Sequence, residues 1–157
     1  VLDTNELDAL DSSVPKGVIL QMKRIQLTTT LSTNSSTFSS IAEDLSITPK
    51  SSNSIIFISL KIHVYLFSHT TGAWSACNVR MLRDGTQVAE SNPPSDPYDV
   101  AFTSGYDHMV IYSRDFSDSP NTTSLITYQP QVSSRHGYSM TINQYSEGSI
   151  TLMEIAQ

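Results

Sequence analysis

Four histidines, one cysteine and fifteen acidic residues are the raw material for chemistry in this 157-residue chain, and their spacing limits what they can do. Cys77 is alone, which rules out an intrachain disulfide and a cysteine-based zinc site. Set in an apolar run, it reads as a buried thiol. His63 falls on a strand-like run, His69 beside a turn, and His108 and His136 in loops; none has a second His or Cys at helical ligand spacing, so zinc is not expected. No Gly-x-Ser-x-Gly elbow occurs, and among 26 serines chance combinations with His and Asp carry no weight. Asp96, Asp99 and Asp107 have the hard oxygens of a calcium site, but beside prolines they read first as turn caps; no metal or cofactor is expected. Asp96, Asp99, Asp115 or Glu147 would make a glycosidase pair only at the right separation, which a sequence does not carry. The expectation is a protein that is not an enzyme.

Binding needs less. Aromatic faces stack on sugar rings while neighbouring polar groups orient the hydroxyls, and that chemistry is available at Trp74, Tyr98, Asp99, Tyr106 and His108. Trp74 can equally plug one end of a core. Tyr98 and Tyr106 stand in polar segments and read as exposed.

The elements that position these residues are strands. Ser and Thr number 26 and 16, charged residues are 15% and hydrophobic residues 38%, a balance that favours sheets. A net charge of −6 with scattered basic residues excludes a general nucleic-acid binder. No stretch approaches the roughly 20 apolar residues of a membrane helix, so membrane insertion is not expected. Residues 1–17 differ from the rest, with Asp3, Glu6, Asp8 and Asp11 before any basic residue; they read as a linker or attachment segment with one helical turn capped by Thr4, or as a disordered tail. A start at Val1 without a signal-peptide pattern reads as the excised end of something longer.

From residue 18 to residue 157 the pattern is β throughout, one domain in which no helix longer than two turns fits. Val18, Leu20 and Met22 share one face but Ile25 and Leu27 take the opposite parity, which predicts a bulge at Lys23-Arg24. The run Thr28 to Ser36 reads as an exposed edge or loop. Ser54 to Phe67 alternates strictly, with Ile56, Ile58, Leu60, Ile62, Val64 and Leu66 on a core face, and its length predicts a bend or bulge within it. Its other face carries Phe57, His63, Tyr65 and Phe67, too greasy for solvent alone; it suits either a second layer or a subunit contact, and reads first as the subunit contact. Asp84-Gly85 is a hairpin signal, the three prolines between Asn92 and Asp99 mark the longest loop, and the hydrophobic run ending at Ile155 is expected to be tucked into a sheet. About ten strands with turns every eight to twelve residues predict an antiparallel β-sandwich of jelly-roll type.

The order of turns resembles a module at the C-terminal ends of tail-fibre and other virion appendage proteins of marine, especially cyanobacterial, bacteriophages. Five pieces carry the likeness: Leu45-Ser46-Ile47-Thr48-Pro49 with Ser51 to Ser54 and the long strand; Leu82-Arg83-Asp84-Gly85-Thr86; Asp118-Ser119-Pro120-Asn121-Thr122-Thr123 with Tyr128 after it; Thr141-Ile142-Asn143; and Ile150 to Ile155. The resemblance implies a homotrimer at a fibre end or on a virion surface, attached to other virion proteins through the N-terminal segment. Host-surface recognition, of a glycan or a protein, would then fall to the loops Asn92 to Asp99 and Gly105 to His108. The alternatives are a structural capsid or tail appendage, such as a head fibre, knob or decoration protein, and a small glycan depolymerase.

Overall fold

A computed structural model describes residues 15–66, 74–91, 100–101 and 108–157, the strand residues 74, 75, 91, 100 and 101 by their backbone alone. Its strands are β1 (Ile19–Leu27), β2 (Leu31–Thr33), β3 (Ser39–Ser40), β4 (Leu45–Ile47), β5 (Ile55–Leu66), β6 (Trp74–Ser75), β7 (Cys77–Arg83), β8 (Thr86–Ser91), β9 (Val100–Ala101), β10 (His108–Asp118), β11 (Ile126–Ser134), β12 (Met140–Ile142) and β13 (Gly148–Ile155), and the described residues contain no helix. All strand pairings are antiparallel. Residues 1–14, and with them nearly all of the expected linker, lie outside the described residues.

One six-stranded sheet is centred on β5. Its first edge pairs with β13 and then β12, which carry β1 and β2 beyond them; its other edge pairs along eleven residues with β10. A five-stranded sheet is centred on β11, with β7 and then β8 on one side and β4 and β3 sharing the other; β6 and β9 form a separate pair. Period-two burial joins the two larger sheets. Ile56, Ile58, Leu60, Ile62, Ile150 and Leu152 from one meet Ile47, Val79, Met81, Tyr128 and Val132 from the other in a single buried cluster. Each such side chain contributes about 1.5–3 kcal/mol by leaving water, and Cys77 sits among them as the expected buried thiol.

Three expectations change. No register shift separates Gln21 from Leu27, so there is no bulge at Lys23-Arg24; the irregularity lies between Ile19 and Gln21. The parity change is real but has another cause. Ile25 and Leu27 face the core while Met22 faces away and is 62% exposed, because this strand is apolar on both sides. The long strand also runs without a shift, Ile56 to Leu66 pairing continuously with β10, so of the expected bend or bulge the bulge is absent from that pairing. His108 is no loop residue: it opens β10 opposite Leu66.

Local chemistry accounts for the turns. Asp84 and Gly85 both have positive φ, 48° and 81°, the left-handed pair that a two-residue hairpin needs. Pro130 sits inside central strand β11, where a missing N–H should break a ladder. Its carbonyl accepts from Ile41 N, so the side lacking a donor faces the gap between β3 and β4, and that gap is why the neighbouring edge comes as two short strands.

Candidate functional site

Successive residues of a strand point to opposite faces, so the register of β1, β13, β5 and β10 defines the outer face of the six-stranded sheet row by row. Met22, Met153, Phe57 and Ser117 form one row; Arg24, Thr151, Ser59 and Asp115 the next; Gln26, Ser149, Lys61 and Ser113 the third. Ile19, Ile155 and Ile55 extend the first row toward one end of the sheet. His63 with Ile111, then Thr141, Tyr65 and Met109, continue toward the other. Two apolar patches thus flank a polar band. Exposure singles them out: Ile19 54%, Met109 57%, Ile111 49% and Tyr145 67%, the last with its ring edge-on to Tyr65 at 5.4 Å between centroids.

The expected subunit-contact residues fall on this face. Phe57 and Tyr65 are half-buried. His63 is buried within its own chain, its Nδ1 without a hydrogen-bond partner among the described residues, and burial, helped by the Lys61 charge, holds its pKa below the usual 6.5. Phe67 lies outside the described residues, as do Tyr98, Asp99 and Tyr106, together with the Asp96 and Asp107 weighed for calcium. Trp74 is placed by its backbone only, opposite Ala101. Of the five candidate ligand-binding residues, His108 alone has a described side chain, half-buried at the start of β10.

Sequence reasoning passed over Ile19, Met22, Met109, Ile111 and Met153. The signal was there: His-Met-Val-Ile-Tyr and Leu-Met-Glu-Ile put apolar residues on both parities of β10 and β13, as the long strand does.

Polar groups hold the sheet that presents this face. Glu154, fully buried at the sandwich end, accepts hydrogen bonds at Oε1 from Lys50 N (2.7 Å), Ser51 N (3.1 Å) and Ser54 Oγ (2.7 Å), and at Oε2 from Gln21 Nε2 (2.6 Å). It ties β1 and the turn before β5 to β13. Asn143, at φ 55°, accepts from His63 N at Oδ1 (3.1 Å) and donates from Nδ2 to Leu27 O (3.1 Å), joining the ends of β1, β5 and β12. Gly148 packs under it: a Cβ there would stand 2.6 Å from Lys61 O and 3.0 Å from Asn143 Oδ1.

The sandwich's two sides are closed by further polar contacts. On the β1 side Lys23 Nζ donates to Ser46 O (3.1 Å) and Gln21 Nε2 to Thr48 O (2.7 Å). On the β10 side Asp118 Oδ2 accepts from Arg83 Nη1 and Tyr128 Oη, both at 2.7 Å. Burial first, then that carboxylate, push the Tyr128 phenol well above its ordinary pKa. Glu43 takes three hydrogen bonds at Oε1 from Thr28 and Thr29; burial raises its pKa, and these donors outweigh burial, leaving it below 4.5.

Most of these polar groups are spent on one another and on the backbone, with Glu43 Oε2 and His63 Nδ1 left without a partner among the described residues. Among the described residues no three His, Cys, Asp or Glu side chains gather as a metal site. A cavity of about 10 Å³ between the sheets, lined by Val64, Leu66, Cys77, Val110 and Tyr112, is the size of one water. What this part of the molecule offers is a surface rather than a pocket.

No family model and no curated protein matches the chain. Among solved structures it is similar to the infectious bursal disease virus VP2 subviral particle (12% identity, TM-score 0.43, covering 85% of this chain and 32% of that one). Two further similarities are to the T13 infectious bursal disease virus particle (10%, 0.46, 87% and 31%) and to the Gx strain of that virus (12%, 0.46, 85% and 32%). The chain spans about a third of the length of these proteins. No role for it follows from likeness at that level.

Proposed function

We propose that this chain is a non-enzymatic structural domain of a bacteriophage virion, the end of a tail fibre or a comparable appendage, that assembles as a homotrimer and meets the host surface through its loops. The half-apolar outer face of the six-stranded sheet carries the reading. Soluble monomers seldom leave such surface uncovered, and copies arranged with these faces inward would bury it.

Strand order supports the architecture this reading requires. Taking β1, β4, β5, β7, β8, β10, β11 and β13 as the eight principal strands, one sheet runs first, eighth, third, sixth and the other second, seventh, fourth, fifth, which is the order of a jelly roll. The sequence pieces that resemble phage appendage modules fall on strands and on the turns that end them: Leu45–Ile47 is β4, Asp84-Gly85 the hairpin, and Asp118 the end of β10.

The deciding measurement is the native mass by sedimentation or mass spectrometry. A trimer is expected at micromolar concentration, and a monomer would overturn the proposal. Recognition is tested on the intact trimer. Binding to a host-glycan array is expected to fall in Tyr98→Ala or Tyr106→Ala. Reducing-sugar release from host polysaccharide would replace the reading with the depolymerase.

A further inference from the structure

Arg24 and Asp115 occupy the same row of the outer face at its two lateral limits, β1 and β10. Three strand spacings, about 14 Å, separate them, too far for an ion pair within the chain. Both are exposed, and neither has a partner among the described residues, although Lys23, Lys50, Arg80 and Arg83 all do. Rows matter because rotation about an axis parallel to the strands preserves height. With faces turned inward around such an axis, the β1 side of one copy meets the β10 side of the next. The row that carries a cation at one limit then meets the row that carries an anion at the other.

We infer that the occupant of this face is further copies of the same chain, closed in a threefold ring by contacts between Arg24 of one copy and Asp115 of the next. Resting on the trimer proposed above, the inference adds which sides meet and in what register. Met153 and Phe57, one row away on the two inner strands, then lie nearer the axis and supply apolar burial. Arg24 and Asp115 set the alignment, as charges at an interface do. Lys61 stands on β5, off the boundary between copies, so the pairing is specific to Arg24.

Charge swaps test this with little demand on the fold, since both side chains are exposed and neither has a partner among the described residues. Arg24→Glu sets two anions face to face at every boundary and Asp115→Lys two cations, so each variant is expected to weaken assembly about 100-fold or more. The double variant Arg24→Glu/Asp115→Lys in one chain restores opposite charges at every boundary and is expected to recover the wild-type trimer. Mixing the two single variants leaves one like-charge boundary in every mixed three-membered ring, so the mixture is expected to assemble better than either single variant but clearly more weakly than the wild type. Thermal unfolding in dilute solution checks that each variant is folded.

Single variants that assemble like the wild type, a double variant that stays dissociated, or a mixture that assembles fully, as a twofold ring would, each overturn the inference. A wild type already monomeric would instead sink the proposed function itself, so the two failures are distinguishable.

Discussion

The two outer faces of the sandwich are built on the same period-two pattern and end in opposite conditions. On the five-stranded sheet, side chains find one another: Arg80 Nε donates to Gln131 Oε1 (2.8 Å), Gln131 Nε2 to Gln129 Oε1 (3.2 Å), Gln129 Nε2 to Asp44 (3.1 Å) and Asn78 Nδ2 to Ser133 Oγ (3.3 Å), while the Arg80 guanidinium covers the Phe38 ring at 4.3 Å. The six-stranded sheet shows Met22, Met109 and Ile111 to solvent, with Arg24 and Asp115 between the patches and without a partner among the described residues. A face whose polar groups are satisfied by cross-strand neighbours needs nothing further. A face that leaves both apolar area and charge unanswered is finished only by another molecule.

That contrast is broken most directly by placing one new carboxylate on each face. Phe57→Asp is expected to weaken self-association by about 1,000-fold, roughly 4 kcal/mol, whereas Asn78→Asp leaves the native mass unchanged. Equal sensitivity of the two faces in sedimentation would remove the distinction. The next largest effect falls on the scaffold beneath the first face. Glu154→Ala strips the acceptor from two backbone amides, a serine and a glutamine, and should cost about 3–5 kcal/mol in urea unfolding. A loss under about 1 kcal/mol would mean that water replaces the carboxylate, and that the tie between β1 and β13 is dispensable.

How far this was legible in the sequence depended on which property carried the signal. Alternation located β5 within a residue at each end, and β4, the Asp84-Gly85 hairpin and the terminal strand all fall where period and turn chemistry put them. The outer face was half seen, through Phe57 and Tyr65, because an aromatic on the wrong parity of an otherwise regular strand is conspicuous. Ile19, Met22, Met109 and Ile111 were missed because a strand apolar on both parities mimics a register shift, as at Lys23-Arg24, and only pairing tells the two apart. Glu154 and Asn143 carried no signal in period or turn chemistry, since their partners, backbone amides and side chains alike, lie from 80 to 133 positions away. Long-range register decides such contacts. The residues proposed for recognition are a different matter: Tyr98, Asp99 and Tyr106 lie outside the described residues, and residue type alone argues for them.

Gly148→Ala sharpens the comparison at smaller cost. The added methyl meets Lys61 O and Asn143 Oδ1, and must push apart the β5 to β13 pairing or the Asn143 bridge, about 2–3 kcal/mol by thermal unfolding. Acid should act on the same face through His63. Its pKa is depressed in the folded chain, so the unfolded state takes up a proton first as pH falls through 6.5; stability is fully present above that value and declines from it toward the lower folded pKa. Melting temperature is therefore expected to drop between pH 7.5 and 5.5 in the wild type and to stay flatter in His63→Phe. Glu43, also depressed, enters only below pH 4.5. A parallel decline in both proteins over the upper window would remove His63 as the cause.

The smallest effect belongs to the satisfied face. Gln131→Ala deletes the middle of the side-chain ladder, taking one hydrogen bond from Arg80 and one to Gln129. Arg80 and Gln129 are only half-buried, so water replaces the lost partner, and the expected loss is about 0.5–1 kcal/mol with no change in native mass. The ladder keeps this surface from being sticky without holding the sandwich together, because the core beneath it is packed by Val79, Met81 and Val132. Were Gln131→Ala to unfold the domain, or to make it aggregate beyond the wild-type assembly, the ladder would be structural rather than protective. The two faces would then differ in chemistry but not in whether they need a partner.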